Sequence, residues 1–259
     1  KQYKVDYMYN IVWGNPTDEY NLISCPMLWH SIFTNTPFSR PNKKDRYAVI
    51  SRYLTDKHSK GKSYVPHMIN MPECPSSDNF REKYNIPTDA FVIGRYGGSD
   101  SFDIGYVHSA IREILQENIN VYFLFANTNR FHEHPKIKYV DTLYEQMDKA
   151  RFIQTCDMMI HGRTVGETFG ISIGEFSYYN KPVMTNLSVP IANLLSDNCH
   201  LEILGDKGFV YKNKEEAKTI IRNMCRDGVD TKKNWKAYDD YTPAKVMQQF
   251  KNMYLNETP

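Results

Sequence analysis

Two short apolar runs, Met158-Met159-Ile160 and Pro182-Val183-Met184, flank the segment Glu167-Thr-Phe-Gly-Ile-Ser-Ile-Gly-Glu175. Each run is too short for a helix and reads as a buried strand. Between them, Phe169, Ile171, Ile173 and Phe176 alternate with the small residues Gly170, Ser172 and Gly174, a pattern suited to a helix packed closely on a sheet. The spacing therefore predicts strand, loop, helix, strand. A strand, a helix and a second strand make up the repeating unit of a parallel α/β sheet. Glu167 falls in the loop at the helix entrance, where free backbone N–H groups favour an anion. Glu175 lies just over two helical turns further on, on about the same face.

The rest of the chain repeats the alternation. Strands are expected at 90–94, 121–126 and 137–140, with helices at 78–85, 103–117 and 143–155. After the central unit come an expected helix near 191–195, a strand at 201–204, and a turn at 205–208. A helix capped by Asn213 and reaching about 225 follows, then a last helix from 243 to 254. Near the N-terminus, 4–9, 25–30 and 47–51 read as short strands, and 34–44 as an exposed turn-rich loop. Apolar strands alternating with helices predict a doubly wound parallel sheet, whose ligands bind beyond the carboxyl ends of the strands. Gly94-Arg95, Asn127-Thr128 and the segment from His161 to Glu167 converge there.

Several classes are excluded. The 32 Lys and Arg nearly balance the 30 Asp and Glu, which argues against a nucleic-acid binder driven by a basic patch. The five scattered cysteines include no Cys-x-x-Cys, against a disulfide framework or a zinc site; a reducing, cytoplasmic setting is expected. No apolar run nears the roughly 18 residues that cross a bilayer, which leaves peripheral membrane contact open. Asp-x-Asp, Walker, Gly-x-Gly-x-x-Gly and Gly-x-Ser-x-Gly motifs are all missing.

With Phe-Gly behind the first Glu and Asn-Lys-Pro-Val after the helix, the Glu-x7-Glu stretch resembles the signature of the GT-B glycosyltransferases of the GT4 type. The resemblance covers roughly residues 25–255. It implies a Rossmann-like C-terminal domain over 67–240 and a partial, smaller Rossmann-like N-terminal domain over 1–66. It also implies a C-terminal helix over 241–259 that crosses back to the N-terminal domain. The chain starts at Lys1 without an initiator Met, and the family's first N-terminal strands are not found in it.

By resemblance, the donor is a nucleoside diphosphate sugar, the acceptor a glycan or other molecule, and transfer retains configuration with neither metal nor cofactor. Glu167 and the backbone of Thr168, Phe169 and Gly170 would face the donor sugar, and Glu175 the ribose hydroxyls. Arg95 would pair with the diphosphate, where a planar guanidinium fork suits phosphate oxygens. The family's clamp Lys is replaced by Ser99 or Asp100, so Gly97, Gly98 and Arg163 are candidates to stand in. Asn127, Thr128, Tyr139 and Val140 would edge the nucleobase site, and His30 would meet the sugar from the N-terminal domain. A GT-B nucleotide-sugar epimerase and a non-catalytic nucleotide-sugar-binding module fit the same residues.

Overall fold

The sheets form where apolar strands can pair in parallel, and a computed structural model describes them over residues 4–13, 24–33, 44–58, 63–189 and 197–256. In chain order the elements are β1 (Met8–Val12), β2 (Met27–Ser31), β3 (Arg46–Val49), α1 (Arg52–His58) and β4 (Ser63–Tyr64). Next come β5 (Phe91–Tyr96), α2 (Gly105–Ile114), β6 (Val121–Ala126), β7 (Ile137–Val140), α3 (Gln146–Thr155) and β8 (Met158–Ile160). β9 (Gly166–Glu167), α4 (Ile171–Tyr178), β10 (Val183–Asn186), β11 (Asp197–Asn198), α5 (Cys199–Leu204) and β12 (Gly208–Tyr211) follow. α6 (Lys214–Asp227) and α7 (Pro243–Phe250) complete the set. The expected helix near 191–195 and nearly all of the turn-rich loop at 34–44 lie outside the described residues.

The chain divides into two compact units. One is Ile69–Asp239; the other joins Lys1–Met68 to Asp240–Pro259. In the first, six parallel strands lie in the order β12-β10-β8-β5-β6-β7. The chain therefore starts in the middle at β5, runs outward through β6 and β7, then returns to β8 and runs out the other way. This is a doubly wound sheet with its topological switch between β5 and β8. Its strands are apolar because both faces are covered: Ile93, Phe123, Phe125, Met158, Ile160 and Met184 are buried in one cluster with Val107, Ile111 and Ile114 of α2 and Ile221 of α6. Glu113 on α2 also binds Lys214 and Lys218 of α6.

In the second unit, β1-β2-β3-β4 form a four-stranded parallel sheet. Alternation sorts β2 to two faces. Leu28 packs with Ala48, Val65, Val246 and Tyr254, while Met27 and Trp29 pack with Val12. The Tyr254 hydroxyl donates to the Trp29 carbonyl at 2.7 Å, which fixes the C-terminal segment to this sheet. Among the described residues, no helix is long and apolar enough to cross a membrane.

Four local expectations are corrected. Residues 78–85 form successive turns, not a helix. Asn79 bonds the Ser76 carbonyl and the Arg81 N–H, so local side chains take over backbone partners that a helix would need. Residues 201–204 belong to helix α5, since a four-residue apolar run does not by itself distinguish strand from helix. The strand of that region is β12, which the expected turn at 205–208 obscured. Strand β1 starts at Met8 rather than Lys4, because an edge strand extends only as far as β2 offers pairing.

Candidate functional site

The strands on the two sides of the switch, β5 and β8, lead into polar groups at or just beyond their carboxyl ends. β5 ends in Arg95 and Tyr96, whose side chains leave opposite faces of the pleat. Arg95 is buried and donates to Thr128 Oγ1 at 2.6 Å, the Asn127 carbonyl at 3.3 Å, Ser101 Oγ at 2.7 Å and the Gly98 carbonyl at 2.9 Å. All four hydrogens on its two terminal nitrogens are thereby engaged by the surrounding loops. Burial brings its guanidinium down to about 10, with Glu167 opposing that shift and Arg163 adding to it.

Asn127 sits in the left-handed region at φ 44°, which Asn tolerates better than most residues. Its side chain donates to the Gly97 carbonyl at 2.7 Å and accepts from Thr142 at 3.1 Å, joining the loops after β5, β6 and β7. These loops edge an open cleft of ≈ 240 Å³ lined by Ser99, Asn127 to Arg130 and Tyr139 to Thr142. The Tyr139 hydroxyl is held inward by the Phe131 and His132 backbone. Its ring carries the Arg130 guanidinium at 4.9 Å. The four residues expected at the nucleobase edge, Asn127, Thr128, Tyr139 and Val140, thus line one cleft.

On the other side of the switch, β8 runs into His161, Gly162 and Arg163. Asn186 at the end of β10 holds this loop from both sides, accepting from the Arg163 N–H at 3.1 Å and donating to the Arg163 carbonyl at 3.0 Å. Asp103 accepts from the Thr164 N–H at 2.7 Å. Glu167 lies in the two-residue strand β9, paired with β11, and so outside the helix. The expectation that Glu167 and Glu175 share a helix face is corrected accordingly, since helical periodicity begins at Ile171.

The two carboxylates have different surroundings. Glu167 accepts from Arg163 Nη1 at 3.0 Å and faces His161 Nε2 at 3.3 Å. Burial pushes its carboxyl up, but the His161 hydrogen bond and the Arg163 guanidinium outweigh burial and set it at about 2. Glu175 lies in α4, buried, and accepts from the Tyr96 hydroxyl, with Lys149 Nζ at 3.7 Å. Burial holds its carboxyl above the usual range against the pull of Tyr96 and Lys149.

Gly170, at φ 84°, turns the chain into α4. Phe169 is in the core, its ring edge-on to Tyr238 at 5.4 Å and its carbonyl accepting from the Tyr238 hydroxyl. Only the backbone of Phe169 is therefore open to a ligand role, and Thr168 is likewise buried.

No family model matches the chain, and no curated protein matches it in sequence. Solved structures do match in fold. HepE of Anabaena, crystallised with UDP-glucose, matches with a TM-score of 0.70 over 95% of this chain and 78% of its own, at 17% identity. A glycosyltransferase of Rickettsia africae matches with a TM-score of 0.64 over 91% of this chain and 72% of its own, at 14% identity. WaaG, a glycosyltransferase involved in lipopolysaccharide biosynthesis, gives 0.52 over 96% and 100%, at 9% identity. The fold is GT-B.

In this GT-B chain, Arg95, Arg163 and Glu167 stand within electrostatic reach of one another at the switch point. Glu175 takes its partners on the face that Tyr96 shares. His30 belongs to the other unit. Its Nε2 donates to the Val65 carbonyl at 2.7 Å and its Nδ1 accepts from the Tyr9 hydroxyl at 2.6 Å. Burial brings its imidazole down to about 4, with His67 adding to the shift and the Val65 bond opposing it. Both ring nitrogens are used within the unit. Sequence reasoning missed Tyr96, Lys149, Thr185, Asn186 and His200, which reach the two carboxylates or the Arg163 loop from other elements.

Proposed function

We propose that this chain transfers a glycosyl group from a uridine diphosphate sugar to a glycan or another hydroxyl-bearing acceptor. The observation that carries the reading is the meeting of Arg163, Arg95 and the ionised Glu167 at the switch point of a GT-B sheet. Relatives in fold were solved with UDP-glucose or UDP bound at 17% and 12% identity, which favours uridine as the base.

Charge decides the roles. The leaving diphosphate needs cations and N–H donors aimed at it, since stabilising charge that develops in the transition state is the largest lever such a site has. Arg163 is 27% exposed and, among the described residues, holds only Glu167 through its side chain, so it is the group that turns to the diphosphate. Arg95, with its terminal hydrogens engaged, keeps the loop shape and contributes positive potential. The amides of Gly97, Gly98 and the first turn of α4 add donors. Glu167, as an ionised acceptor, binds hydroxyls of the donor sugar, and Glu175 accepts from the ribose. Asn127, Thr128, Tyr139 and Val140 hold the base. Retention of configuration and independence of metal belong to the same proposal, the latter resting on the missing Asp-x-Asp motif. Placement in the cytoplasm rests on the cysteines alone.

Calorimetry against a panel of nucleoside diphosphate sugars tests the reading, followed by UDP release in the presence of candidate acceptors. Binding of a uridine diphosphate sugar with acceptor-dependent UDP release is the expected result. Binding of no nucleoside diphosphate sugar refutes it, and turnover of the free donor into an isomer favours the epimerase instead.

A further inference from the structure

A carboxylate that is to hold a sugar hydroxyl must stay ionised and keep its aim. Behind Glu167 runs a line of three buried side chains from three separate elements: His161 after β8, Thr185 in β10 and His200 in α5, at 5%, 0% and 0% exposure. His161 Nε2 lies 3.3 Å from Glu167 Oε1, and His161 Nδ1 lies 2.8 Å from Thr185 Oγ1. Thr185 Oγ1 in turn lies 3.0 Å from His200 Nε2. The two rings are 5.1 Å apart, centre to centre.

Counting hydrogens fixes the first step of this line. An ionised carboxylate only accepts, so His161 Nε2 carries a hydrogen. Beyond the ring, the Thr185 hydroxyl bridges His161 Nδ1 and His200 Nε2, since one oxygen can both donate and accept. Burial keeps the His200 ring neutral, at about 3. Three side chains thus tie the Glu167 carboxylate back to α5.

We propose that Thr185 and His200 are positioning residues that act through His161 to hold Glu167 as a fixed hydrogen-bond acceptor for the donor sugar. This rests on the glycosyl-transfer reading, in which Glu167 faces that sugar. With Oε1 tied inward to His161 and Oε2 to Arg163, the carboxylate cannot rotate freely. When the diphosphate draws Arg163 away, the inward line alone keeps its aim. The site then selects donor sugars that present a hydroxyl, rather than an acceptor group, toward Glu167.

Two arms of one experiment on the full chain test this. The first reads histidine tautomers by 15N NMR, with His200→Gln assigning the signals. His161 is expected to carry a hydrogen on Nε2. A His161 ring without a hydrogen on Nε2 cannot hold the ionised carboxylate and overturns the proposal. The second compares Thr185→Val, which keeps the shape but loses the hydroxyl, with Thr185→Ser, which keeps the hydroxyl. In UDP release from the uridine diphosphate sugar, Thr185→Val is expected to lower kcat by about tenfold, with affinity for UDP nearly unchanged. Thr185→Ser is expected to recover most of that loss. An unchanged kcat in Thr185→Val, an equal loss of UDP affinity, or a Ser variant as poor as Val overturns the proposal. If the wild-type chain turns over no nucleoside diphosphate sugar, the functional reading fails, and the tautomer arm still decides the line.

Discussion

Two buried histidines tie stability to pH in the same direction. His30 is held at about 4 and His200 at about 3, both below the ordinary value near 6.5. Each binds fewer protons in the fold than in the unfolded chain, so acid favours unfolding. The stability is complete above about pH 6.5 and is lost as pH falls toward the folded values. Between pH 7 and pH 5 each should cost about 2 kcal/mol. Glu167, depressed to about 2, adds its loss at lower pH, and Glu175, held up by burial, works in the opposite sense. Urea unfolding at the two pH values isolates each histidine by comparison with His30→Gln and His200→Gln, which should show a smaller pH dependence than the wild type. Variants that lose as much stability as the wild type would contradict the assignment. A second prediction concerns Arg163. If it binds the diphosphate, Arg163→Ala should weaken UDP binding by about 1.5–3 kcal/mol and uridine binding hardly at all. Equal losses for the two ligands, measured by calorimetry, would mean that Arg163 only braces its loop.

At the scale of elements, the site depends on the tight pairing of β9 with β11. Gly166 has φ 69°, and a Cβ there would meet the Asp197 carbonyl oxygen at 1.9 Å. Backbone, not a flexible side chain, blocks the way. Gly166→Ala should therefore separate β9 from β11, cost about 1–3 kcal/mol of stability, and shift Glu167 next to it. A variant with unchanged melting temperature and unchanged donor binding would show the pairing to be dispensable. The central strand–loop–helix–strand unit was legible because its apolar runs and small residues act locally, and so was the doubly wound parallel sheet. Strand β12 was not, since four residues entered by a glycine-rich turn carry too little pattern. Nor were the partners of the carboxylates. Tyr96 meets Glu175 across 79 residues of sequence, and His200 meets Thr185 across 15, on elements whose own patterns say nothing of each other. Asn79 shows the converse: a helix-like spacing gave way to a polar side chain with nearer backbone partners.

For the whole molecule, chain continuity separates the two units. Ile69–Asp239 is one unbroken segment with its own six-stranded sheet and core. It also holds Arg95, Arg163, Glu167, Glu175, the inward line of histidines and the ≈ 240 Å³ cleft. The other unit is assembled from both ends of the chain: Val246 and Tyr254 cover Leu28, Ala48 and Val65. Removing residues from 240 onward would strip that sheet face of its apolar cover, so Lys1–Met68 alone is expected to lose much of its stability. The fragment 69–239, by contrast, keeps every buried partner described for its core. It is expected to fold cooperatively and to bind UDP with an affinity close to that of the full chain, since a ligand that binds only folded protein reports on the intact site. Circular dichroism melting and calorimetry on the fragment check both statements. A fragment that folds but does not bind UDP would mean that residues of the other unit complete the nucleotide site, and a fragment that does not fold would mean that the six-stranded core needs the second unit for its stability.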